Sequence, residues 1–149
     1  SLFVKQQEPI PLFNAAQSST YMLSYPAPAS KAITDTPDPV WPGTCTHTLE
    51  EERPWWSADF GGTYNVTKVE VTSRSGYASL RGSSFTIEVG GRECATDVTT
   101  GSSGETTVIP CLATGDNIKI IVAGLTYMNL CGVRVFAAAP EKDQPSLPP

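Results

Sequence analysis

Val66-Thr67-Lys68-Val69-Glu70-Val71-Thr72 sets a β-branched apolar residue against a polar one along the run, the pattern of a strand with one face buried. Ser84-Phe85-Thr86-Ile87-Glu88-Val89 repeats the alternation and runs into Gly90-Gly91, which reads as a turn. Thr106-Thr107-Val108-Ile109, Ile118-Lys119-Ile120-Ile121-Val122 and Val133-Arg134-Val135-Phe136 read the same way. No window carries a 3.6-residue apolar period of helical length. Short strands separated by Gly and Pro predict an all-β fold, an antiparallel sandwich or barrel.

Outward from these strands the pattern fades. Residues 1–12 read as an N-terminal tail, residues 13–138 as the domain, and residues 139–149 as a Pro-rich C-terminal tail or linker. Residues 14–43 read as loop. The end of that stretch, Thr34-Asp35-Thr36-Pro37-Asp38-Pro39-Val40-Trp41-Pro42-Gly43, is too rich in proline for a helix or a central strand. A long loop in a compact domain usually binds something or is tied down by a metal.

The chain has 149 residues, enough for one core, and a net charge of −5 with its Lys and Arg scattered, so a nucleic-acid partner is not expected. No apolar run approaches the roughly 18 residues of a membrane span. Residues 1–11 lack the basic head and apolar body of a signal peptide, so a secreted protein would be represented here by its mature portion. Four cysteines, Cys45, Cys94, Cys111 and Cys131, lack CxxC spacing and have one histidine for company, which favours two disulfides over a zinc site. They leave three pairings open. Asn65-Val66-Thr67 is a glycosylation sequon and points the same way, to an extracellular protein.

Catalytic chemistry finds little to work with. His47 is the one histidine, no G-x-S-x-G is present, and a Cys-His nucleophile would cost a cysteine its disulfide partner. Glu50, Glu51 and Glu52 form a solvated run, and Asp59, in a strand-like segment, is the better candidate for a buried acid; one such acid is not a glycosidase pair. The chain reads as a non-enzyme.

The ordered series Cys45-Thr46-His47-Thr48, Pro54-Trp55-Trp56-Ser57-Ala58-Asp59-Phe60, then Arg74 through Arg81 resembles the F-type lectin (fucolectin) family. Its sugar motif is a His, twenty-six intervening residues, then R-x-D-x-x-x-x-R/K; His47, Arg74 and Arg81 stand at that spacing. A lone histidine is more often structural, but two arginines at motif spacing turn the reading toward a site. The resemblance covers residues 14–136 and implies a jelly-roll β-sandwich. It implies that His47, Arg74 and Arg81 bind the axial hydroxyl and ring oxygen of L-fucose, with Trp41, Tyr77 and Tyr25 as an apolar wall. Guanidinium forks suit vicinal sugar oxygens, and a neutral imidazole can anchor through one nitrogen and meet a hydroxyl with the other.

Three departures from the motif stand out. Gly76 replaces its Asp, Tyr77-Ala78 replaces the paired cysteines of some members, and Leu130-Cys131-Gly132-Val133 lacks the Glu that the family places near a calcium ion. The resemblance therefore implies at most a weak structural Ca2+ site near Asp35, Thr44 and Cys131. With the chain so arranged, the expected disulfides are Cys45–Cys131, tying the sugar-loop region to the last strand, and Cys94–Cys111, closing a local loop.

The implied partners are fucosylated glycans, bound through oligomers or tandem repeats because one small sugar gives modest affinity. Two other classes compete. A discoidin-like adhesion module binding protein or lipid would keep the Trp-Trp and strand signals and have no use for the His47–Arg74–Arg81 trio. A carbohydrate-binding module of a larger glycoside hydrolase would be distinguished by a native gene that continues beyond Pro149.

Overall fold

The computed structural model describes residues 8–21, 27–76, 84–101 and 103–138. In them the strands β1 (Phe13–Gln17), β2 (Glu51–Glu52), β3 (Trp55–Thr72), β4 (Phe85–Val89), β5 (Arg92–Val98), β6 (Thr106–Val122), β7 (Leu125–Thr126) and β8 (Gly132–Ala137) succeed one another. A single 3-10 turn, Ala29–Ala32, interrupts them. Neighbours run antiparallel in the order β1-β3-β6-β4-β5, with β8 following β1 along the same edge of β3, opposite β6, and β2 paired to β7. This is the antiparallel all-β architecture that the alternating strands predict.

The long strands β3 and β6 form its backbone. Their upstream and downstream ends pair Trp56 with Ile120 and Val69 with Ile109, and the register shifts twice between, at Asp59/Tyr64 and Val66/Lys68. Each shift lets the ribbon bend and change the face it buries. Before the shifts the buried residues are Trp56, Ala58 and Phe60; after them, Val69 and Val71. Both ends therefore face one core, joined by Phe85, Ile87 and Val89 of β4, Ile118, Ile120 and Val122 of β6, and Val133 and Val135 of β8. Pro110, opposite Lys68 next to the second irregularity, lies where a missing N–H costs least.

Three sequence expectations change. The runs at 106–109 and 118–122 are one strand, and the loop-like residues 14–43 contain most of β1 and the Ala29–Ala32 turn. That turn is fixed by Trp56, which is fully buried and donates its indole N–H to Ala29 O at 2.8 Å. Upstream of β1, Pro9 bridges to Phe136, Ile10 N donates to Val135 O at 2.8 Å, and Ile10 and Leu12 pack on the core. Their apolar side chains thus lie against the open edge of β8. Asp59 is exposed and accepts from Asn14 Nδ2, so it is no buried acid.

Cys45 is bonded to Cys131 and Cys94 to Cys111. The second bond joins β5 to β6. The first, across a sequence separation of 86, joins the loop before β2 to the entrance of β8. Asn65 is exposed on β3, with Oδ1 accepting from Thr114 Oγ1 at 2.7 Å.

This packing has two testable consequences. Trp56→Ala removes a filled core volume and the hydrogen bond on Ala29, and should cost about 3 to 5 kcal/mol in urea denaturation; a loss below about 1 kcal/mol would mean that Trp56 does not organise the turn. Replacing both Cys45 and Cys131 with Ser should cost more than the same change at Cys94 and Cys111. The chain-entropy model gives about 4.5 against about 3 kcal/mol for the two loop lengths, and the reverse order of melting temperatures would contradict this.

Candidate functional site

Residues 45–48 form a buried strip that carries His47. Thr46 N and Thr48 N donate to Leu130 O and Met128 O at 2.8 and 3.0 Å. The two threonine hydroxyls accept in return from Leu130 N and Met128 N at 3.0 and 2.9 Å. Asn129 Nδ2 adds a bond to Thr46 O at 2.9 Å. Alternation along this strip turns the threonines toward residues 128–130 and His47 away from them.

His47 is 7% exposed and ringed by aromatics. Tyr21 stacks on it with centroids 4.6 Å apart, and Trp41 and Tyr127 each meet it edge to face at 5.4 Å. Nδ1 lies 2.5 Å from Thr48 O; a carbonyl only accepts, so Nδ1 carries the hydrogen and the lone pair of the neutral ring belongs to Nε2. The backbone of His47 holds the neighbouring segments too: its carbonyl accepts from Tyr21 N at 2.8 Å and its N–H donates to Ala27 O at 3.2 Å.

Arg74 reaches the same cluster from the end of β3, its guanidinium 4.7 Å from the centre of the Trp41 ring. A cation over an indole face is a favourable contact. Its two neighbours are anchored: Ser73 N donates to Glu105 O at 3.0 Å and Ser75 N to Pro39 O at 2.9 Å. Gly76, where the motif has Asp, has φ of +93°. An Asp would be strained in that conformation.

The structure therefore brings together His47, Trp41 and Arg74 of the expected site. Arg81, Tyr77 and Tyr25 lie outside the described residues. Tyr21 and Tyr127 were not singled out in the sequence; each is an isolated aromatic in a loop, without a spacing or pattern to mark it.

The expected calcium ligands fit poorly. Thr44 Oγ1 donates to Cys131 O at 2.6 Å and accepts from Asp38 N at 2.7 Å, so the hydroxyl and that carbonyl are engaged with each other. Asp35 is exposed and borders a different groove, with Ile33, Val133 and Arg134. Among the described residues no three His, Cys, Asp or Glu side chains converge as metal ligands. A calcium ion wants six to eight oxygens with carboxylate charge among them, and this donor set does not supply them.

A family model described as NedA-like, galactose-binding domain matches residues 31–120. Fucolectin-6 of Anguilla japonica is 31% identical over 121 residues, covering 75% of this chain and 64% of that protein. The chain spans between 54% and 64% of the length of the curated fucolectins it matches. Among solved structures, an F-lectin from striped bass (Morone saxatilis) serum superposes with a TM-score of 0.76 at 28% identity, covering 86% of this chain and 46% of that one. The lectin domain of lectinolysin in complex with Lewis B antigen gives a TM-score of 0.71 at 26% identity, covering 85% and 94%. These relatives are lectins by name. No helix among the described residues is long and apolar enough to cross a membrane. The chain belongs to the NedA-like, galactose-binding domain family, and the fucolectin likeness read in its sequence is shown by curated relatives and a solved fucolectin alike.

Proposed function

We propose that this domain is an extracellular lectin that binds L-fucose at the tips of fucosylated glycans through His47, Arg74 and Arg81. The observation that carries the reading is the meeting of His47, Trp41 and Arg74: a guanidinium fork and an imidazole set among aromatic faces. A monosaccharide presents hydroxyls on one side and a C–H surface on the other, and this pairing of polar and aromatic groups matches both. The Lewis B complex of a lectin domain similar to this one supports a fucosylated ligand class. Arg81 enters by its motif spacing alone.

In this reading His47 Nε2 accepts a sugar hydroxyl proton, because Nδ1 is committed to Thr48 O. Arg74, its guanidinium over the Trp41 ring, donates its fork to neighbouring sugar oxygens. Trp41, with Tyr21 and Tyr127 behind His47, supplies the apolar wall for the methyl group; Tyr25 and Tyr77 remain part of the proposed wall. A fucose-sized ligand at roughly 0.4 to 0.6 kcal/mol per non-hydrogen atom gains about 4 to 7 kcal/mol. That is a dissociation constant between about millimolar and ten micromolar. Adhesion at that strength needs several sites on one assembly, so oligomers or tandem copies belong to the proposal. Secretion and an N-glycan on exposed Asn65 belong to it as well.

Titration calorimetry with fucose and a fucosylated trisaccharide tests the site. Arg74→Ala and Arg81→Ala should each lose about 1.5 to 3 kcal/mol, because sugar oxygens would be desolvated without a donor. That is roughly a 10- to 100-fold weakening. Arg74→Lys should also weaken binding, since a point ammonium cannot replace a fork. His47→Ala, Arg74→Ala and Arg81→Ala proteins that stay folded and all bind like wild type would refute the reading.

Galactose offers a second check. Its hydroxymethyl group would meet the wall that receives a methyl, and burying a hydroxyl without a partner costs about 1 to 3 kcal/mol. Competition should rank L-fucose ahead of D-galactose by 10-fold or more. Equal competition by the two sugars would mean that no apolar wall is present.

A further inference from the structure

We infer that the loop 34–44, which carries Trp41 to His47, is held by the protein alone and works without calcium. Gly132 stands where the resemblance puts a calcium-binding Glu. Its φ is not in the left-handed region, so the backbone does not call for glycine there. Space does: a Cβ at 132 would lie 3.0 Å from both Cβ and Cγ of Pro37 and 3.1 Å from Thr72 Oγ1. Pro37 is a rigid ring and Thr72 Oγ1 is bonded to Thr106 Oγ1 at 2.8 Å, so neither gives way easily. The loop itself fills the place of the metal's carboxylate.

The remaining oxygens are spent in the same manner. Thr44 Oγ1 joins Cys131 O to Asp38 N, and Thr44 N donates to Asp38 O at 3.0 Å. Asp38 Oδ1 accepts from Val40 N at 3.1 Å, and Cys45 N donates to Pro42 O at 3.0 Å. Gly43, at φ of +37°, closes this turn at a point where a Cβ would run into the Asp38 carbonyl. A lysine is already present: Lys31 Nζ donates to Gly43 O at 3.0 Å, beside Thr44. An ammonium in that place satisfies a carbonyl as a metal would and repels a divalent ion. The disulfide Cys45–Cys131 fastens the downstream end of the loop to β8.

The inference does not rest on the sugar reading, because melting and metal titration report on it without any glycan. The wild-type protein should melt within about 2 °C of the same temperature in several millimolar calcium and in excess chelator, and calorimetric titration with calcium should show no saturable binding. Lys31→Met should lower the melting temperature by about 3 to 6 °C, equally in calcium and in chelator. Gly132→Glu should be destabilised and should not be rescued by calcium, because its side chain meets Pro37. Three results would each overturn the inference: a chelator-induced fall of more than about 5 °C in wild type, saturable calcium binding, or recovery of either variant on adding calcium. Should a variant fail to fold in both conditions, the wild-type comparison decides.

Discussion

Residues 45–48 and 128–131 are stitched to each other by paired backbone bonds, by two threonine hydroxyls and by a disulfide, and His47, the centre of the candidate site, hangs from that seam. Thr46, Thr48 and Asn129 are essentially inaccessible to solvent. A buried polar group without a partner costs about 1 to 3 kcal/mol, so Thr46 and Thr48 are tolerable in this strip only in a register where their hydroxyl bonds to Leu130 N and Met128 N are made. That requirement fixes the direction of His47. A slip of one residue would turn the imidazole into the packing and a threonine toward Trp41.

The sandwich supplies the second half of the geometry. Arg74 lies two residues beyond the end of β3, and β3 is the strand that pairs with β1, β6 and β8 at once. Its position is therefore set by the most heavily braced element of the fold. Trp41 comes from a loop with little regular structure, and it touches both His47 and Arg74. The loop needs its own support for that contact to be specific. Ser75 N bonded to Pro39 O ties it to the strand side, and Thr44 bonded to Cys131 O ties it to the seam side.

The legibility of these features in the sequence depends on burial. Strands β4 and β8 and the downstream half of β3 alternate because one face is in the core, and that periodicity identifies them. Strand β5 is Arg92-Glu93-Cys94-Ala95-Thr96-Asp97-Val98, mostly exposed or half-buried, and carries no such pattern. Phe13–Gln17 is hidden for the same reason, and Pro110 with Gly115 made one long strand read as two. Of the site, His47, Trp41 and Arg74 were visible through motif spacing and type. Tyr21 and Tyr127 were not, since ring contacts between distant loops leave no trace in local sequence.

Gly132 marks where spacing alone misleads. Read along the chain, it is a missing carboxylate, and the natural conclusion is a weakened metal site. In three dimensions the same position is occupied by Pro37, a residue ninety-five positions upstream whose ring rests against it. The missing carboxylate and the proline contact thus meet at one position. A metal joins loop to strand through directional bonds that depend on the ion's concentration. A proline ring packed against glycine, beside a disulfide and a lysine on a carbonyl, joins them through contacts that no chelator can remove. The loop carrying Trp41 is thereby coupled to the folding of the sandwich itself, and its order should persist for as long as β3 and β8 stay paired.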